Sequence, residues 1–112
     1  MNAPLQTTSR IRELNDMFRT CFIGGRVLIT EGITDLGDSF TSSCAEAVQR
    51  FTDFSTDNDP YGEHDFGKVV IDGQDFFWKI DYYDHTLCFG AEDPSDNHNT
   101  TRVLIIMLAS EY

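Results

Sequence analysis

Lysine and arginine are scarce in this chain: eight stand against 19 aspartates and glutamates, for a formal net charge of -11 over 112 residues. The deficit is concentrated. Residues 53–112 hold thirteen acids against Lys68, Lys79 and Arg102, and so carry -10 of the -11, whereas residues 1–52 are close to neutral. Such a half repels phosphate backbones and anionic lipid, which excludes direct nucleic-acid binding and attachment to a membrane surface as expected functions. Long apolar runs are also missing. The longest, Val103–Ala109, has seven residues, far below the roughly 20 of a membrane span, and no signal-peptide pattern opens the chain. Cysteine is sparse: Cys21, Cys44 and Cys88 are odd in number and form no C-x-x-C pair, so neither a disulfide framework nor a zinc site is indicated. A soluble protein of the reducing cytoplasm is expected, with each cysteine acting as a small apolar residue.

Catalytic signatures are absent too. No G-x-S-x-G occurs, Gly24-Gly25 precedes a strand and not a helix, and His64, His85 and His98 lack the i, i+4 spacing of a helical metal pair. The segment Asp57–Lys68 follows an EF-hand register at positions 1, 3, 6 and 9, but Lys68 stands where the bidentate glutamate is needed. No cofactor, metal ligand set or catalytic residue is assigned on these grounds.

What is present is a β-hairpin. Asp72-Gly73 suits a two-residue primed turn, which needs positive φ at both central positions. That turn sets Val69 opposite Phe76 and Gly67 opposite Trp78, with Phe76, Trp78, Ile80 and Tyr82 facing a core. Apolar spacing predicts helices over 8–22 and over 39–54, the second capped by Asp38, after a loose lead-in at 1–7. Arg10, Arg12 and Arg19 lie off the first helix's apolar stripe, on a solvated face. Strands are predicted at 26–30, 66–71, 74–83, 87–89 and 102–108, the last covered on both faces and central in its sheet. The fold class is α+β in a single domain over 1–112: an antiparallel sheet of about five strands with two helices packed on one face. The expected core comprises Leu14, Phe18, Leu28, Phe40, Phe51, Val69, Phe76, Trp78, Ile80, Leu104 and Ile106. Phe66, Val70, Phe77 and Tyr83 fall on the sheet's other face, which leaves room for a homodimer.

Three strings in order, DNDPYGEHDFG (57–67), FWKIDYYD (77–84) and TRVLIIMLASEY (101–112), resemble a small bacterial family of unknown function, DUF3768, and GGRVLIT (24–30) extends the likeness. The resemblance implies a setting, mainly alphaproteobacteria and often plasmids and other mobile elements, and conveys no activity. Small acidic proteins that disarm host defences are an established class in that setting. Joined to the charge asymmetry, it suggests an acidic inhibitor that binds a basic, nucleic-acid-reading host protein such as a CRISPR effector or restriction enzyme, by imitating phosphates. The candidate binding residues are Asp57, Asp59, Tyr61, Glu63, Asp65, Asp75, Asp81, Tyr83, Asp84, Glu92, Asp93 and Asp96. Two rival readings stand beside it: a housekeeping binding module whose charge serves solubility, and a metal-dependent hydrolase using the acidic 57–65 loop with Asp57, Asp59, Glu63 and His64.

Overall fold

The structure, a computed structural model, describes residues 3–112, with side chains from residue 7 onward. Its elements are α1 (Ala3–Cys21), β1 (Arg26–Ile29), α2 (Glu31–Thr34), α3 (Asp38–Gln49), β2 (Phe66–Ile71), β3 (Gln74–Tyr83) and β4 (Thr101–Leu108), with short 3-10 turns at Asn97–Asn99 and Ala109–Glu111. The four strands form one sheet in the order β1-β4-β3-β2. The hairpin has the expected register, Val69 against Phe76 and Gly67 against Trp78, and its turn residues Asp72 and Gly73 both have positive φ, 52° and 77°. β4 lies inside the sheet, antiparallel to β3 and parallel to β1.

One face of the sheet is buried under all three helices. Phe76, Trp78 and Ile80 of β3 and Leu104 and Ile106 of β4 meet Phe18 of α1, Ile33 of α2, Cys44 and Val48 of α3, and Phe51. Trp78 is wholly buried, with Phe51 and Phe54 edge-on against its ring. Gly67 makes this fit: a Cβ built there would overlap the Trp78 indole. The Trp78 indole N–H accordingly lies buried with no acceptor.

Several expectations are corrected. The sheet has four strands and is not wholly antiparallel, because residues 87–89 form no strand; Leu87 takes positive φ within a turn, and a lone bridge joins Tyr83 to Gly90. A third helix, α2, occupies the Glu31-Gly32 segment read as a break. Four residues are too few to show periodicity, yet they bury Ile33 completely. Of the 1–7 lead-in, residues 3–7 belong to α1, and residues 1–2 lie outside those described. Gly37, not Asp38, holds the N-cap of α3, and the helix stops at Gln49. Arg19 explains that ending. Its buried guanidinium, expected on a solvated face, donates to the carbonyls of Val48 (2.9 Å) and Phe51 (3.0 Å), so carbonyls left open at the helix end are satisfied by a side chain from α1. Leu28 is 53% exposed and belongs to the open face, while Phe40 and Val69 are half-buried. Of the cysteines Cys44 alone is buried, its thiol pushed up to about 11 by that burial; Cys21 and Cys88 are exposed. No helix among the described residues is long and apolar enough to cross a membrane.

Candidate functional site

The twelve acidic and aromatic residues predicted from the sequence do not share one face; they separate into three sets. The 57–65 loop folds against α1. Asp59 is buried: one carboxylate oxygen accepts the His64 backbone N–H at 3.1 Å and the other lies 3.6 Å from His64 Nε2. His64 Nδ1 sits 2.9 Å from the Asp16 carboxylate, and the imidazole stacks flat on Phe54 with ring centroids 3.7 Å apart. Glu63 accepts the Tyr82 hydroxyl at 3.0 Å. Asp59 and Glu63 thus make contacts within the fold. Asp57 and Tyr61 are exposed at the loop surface. No group of three or more His, Cys, Asp or Glu among the described residues is arranged to hold a metal ion.

Asp65 belongs to this set but behaves differently. Burial, reinforced by the neighbouring Glu63 carboxylate, raises its carboxyl from 3.8 to about 6. An acid whose pKa is higher in the fold than in the open chain favours folding most when protonated, so this contribution falls as pH rises from about 4 to about 6. Asp65→Asn is therefore expected to raise stability at pH 7 by ~1 kcal/mol, after allowance for the solvent screening of a partly exposed group, and to change little at pH 4. Urea denaturation at the two pH values checks this; an equal effect at both would remove titration of Asp65 as the cause.

The second set lies on the open face of the sheet. Asp75 pairs with Lys68 at 3.4 Å and Asp81 with Lys79 at 3.2 Å, beside the half-buried Tyr83. Two of the half's three cations are spent here, so this face is locally balanced.

The third set converges. Asp84, Glu92, Asp93 and Asp96 line a concavity of about 580 Å³ together with His85, Gly90 and Asn99. Asp84 accepts the Thr86 N–H (3.0 Å) and hydroxyl (2.6 Å), and Asp93 accepts the same pair from Ser95 at the same distances. These donors hold both carboxyls below the usual carboxylate range, so both are ionised at neutral pH. Asp96 caps the short 97–99 turn through the His98 N–H and also accepts from Asn99. The signal was legible in part: Asp-His-Thr and Asp-Pro-Ser are the local pattern of Asx-type turns. No lysine or arginine lines the concavity.

Beneath it, Arg102 ties the acidic loop to the core. Its guanidinium is 1% exposed, donates to Asn15 Oδ1 (2.7 Å), Asn97 Oδ1 (3.3 Å) and the Pro94 carbonyl (2.5 Å), and lies over the Tyr82 ring. No carboxylate touches it among the described residues, and burial lowers its pKa below the usual guanidinium value. Asn15, buried on α1, also donates to Tyr82 Oη and the Glu63 carbonyl. Composition and periodicity gave no sign of this seam, because its members stand as far as 87 residues apart.

Fold and site together define a small α+β protein with an ionised, backbone-braced acidic bowl. Residues 29–111 match the family described as protein of unknown function (DUF3768), and the chain belongs to that family. No curated protein and no solved structure matches it.

Proposed function

We propose that this protein is an acidic binding module that inhibits a basic, nucleic-acid-binding protein of its host by seating the 84–96 bowl on a cationic channel. The supporting observation is the convergence of Asp84, Glu92, Asp93 and Asp96 on one concavity that, among the described residues, has no lysine or arginine in its lining. Carboxylates already braced by backbone and hydroxyl donors need little reordering to meet guanidinium or ammonium groups, which lowers the entropic cost of binding. Asp57 and Tyr61 stay exposed on a separate loop, whereas Asp59, Glu63 and Asp65 make contacts within the fold. The narrower form of the proposal is a host defence nuclease, a CRISPR effector or restriction enzyme, as the target: such proteins hold nucleic acid in positively charged channels, and the mobile-element setting implied by the family resemblance would favour an inhibitor of one.

The test begins with affinity capture from a bacterial host lysate and mass spectrometry, with recovery of a basic nucleic-acid-binding protein expected. The variant Asp84→Asn, Glu92→Gln, Asp93→Asn, Asp96→Asn removes four charges but keeps the side-chain carbonyls that accept the turn hydrogen bonds. It should fold normally and bind that partner about 10- to 100-fold more weakly, and parental affinity should itself fall steeply with added salt. Unchanged affinity in the quadruple variant overturns the bowl as the binding site; failure to recover any basic partner overturns the inhibitor reading.

A further inference from the structure

Helices cover one face of the sheet; the other carries none of them. β1 gives it Arg26 and Leu28, β2 gives Phe66, Lys68 and Val70, β3 gives Asp75, Phe77, Lys79 and Asp81, and β4 gives Ile105 together with Val103 and Met107, which are already buried within one copy at 6% and 7%, as the strand register requires. Leu28 and Val70 are 53% and 59% exposed near opposite edges. Between them Phe66, Phe77 and the mostly exposed Tyr112 form an aromatic cluster with centroids 5.3–6.4 Å apart. Beside Tyr112 a hollow of about 480 Å³ has Ile105 and Met107 among its lining, with Lys79 and Glu111.

We propose that this face is the contact surface of a two-fold homodimer, each copy covering the other's open sheet. Charge selects the occupant. On a chain of net -11, this face sets Arg26, Lys68 and Lys79 against Asp75, Asp81 and Glu111 and is neutral, with Lys68–Asp75 and Lys79–Asp81 already paired within one copy. A second copy of so acidic a chain is repelled by the acidic loops of residues 53–112 and meets no net repulsion here. An isologous contact also satisfies a surface that is itself mixed in sign. The strands span roughly 440 Å² per copy at ~3.3 Å per residue and ~4.8 Å between strands, about 880 Å² for the pair, which is below the size of stable interfaces and fits a weak, reversible dimer.

This inference is independent of the acidic bowl, and salt separates the two. Screening weakens the bowl's attraction to a cation but relieves repulsion between two acidic chains, so dimerisation should hold or strengthen in high salt. Sedimentation equilibrium across about 2–200 μM should show the mass rise from 12.7 kDa toward twice that value. Leu28→Glu and Val70→Glu should each weaken association by ~10-fold or more with an unchanged thermal melt, since both side chains are over half exposed. Leu28→Gln and Val70→Thr, milder at the same positions, should act in the same direction. A mass of 12.7 kDa at every concentration overturns the proposal, and so does a dimer unaffected by both glutamate substitutions or an assembly larger than two.

Discussion

Trp78→Ala is expected to lower the unfolding free energy by about 3–5 kcal/mol, a large fraction of the roughly 5–15 kcal/mol available to a domain of this size. The side chain is completely enclosed by Phe51, Phe54 and Gly67, and lies opposite Ile106 on β4. Truncation leaves a cavity where α1, α3 and the hairpin meet, and the close approach of the Gly67 backbone leaves little chance of collapse onto it. Trp78→Phe should cost less, because the indole N–H already lacks an acceptor and its removal relieves a buried donor. Urea unfolding followed by circular dichroism gives both values; a Trp78→Ala protein as stable as the parent would show that the hairpin does not carry the core.

Arg102→Met ranks next, with an expected loss of about 2–4 kcal/mol. Methionine replaces the aliphatic stem but strands Asn15 Oδ1 and the Pro94 carbonyl without their donor, and buried unsatisfied acceptors cost roughly 1–3 kcal/mol each. The effect should reach beyond stability. Pro94 and Asn97 lie in the loop that carries Glu92, Asp93 and Asp96, so the bowl is shaped by a residue that contributes no carboxylate to it. Hydrogen exchange should show faster opening of residues 91–99 in the variant, and partner binding should weaken without any change of net acidic count on the bowl. A variant that loses stability while exchange in 91–99 stays at the parental rate would show that Arg102 supports the core alone.

The hairpin was legible because its determinants are local. Two turn residues fix the register, and alternation then assigns each side chain of β3 to a face. The α3 helix was legible in its middle but not at its end, since Phe51 and Phe54 continue the apolar spacing after the backbone has left the helix under the hold of Arg19. Leu28 was misassigned for a related reason. Alternation in a four-residue strand says that neighbours face opposite ways, not which way is inward, and the parallel pairing with β4 places Leu28 beside Ile105 on the open side.

Charge followed the same division. That the second half is acidic is a property of composition and holds in any fold. Which acids are free to act is not. Asp59 and Asp84 look alike in the chain, yet one is buried against His64 and the other lines the bowl, because the 57–65 loop docks on α1 while the 84–99 segment arches over Arg102. Local sequence determined the turns, the amphipathic stripes, the two interior strands and the sign of the surface. Tertiary structure alone decided the direction of β1, the burial of Arg19 and Arg102, and the convergence of four carboxylates, since each depends on contacts between residues far apart in the chain whose pairing no short-range pattern encodes.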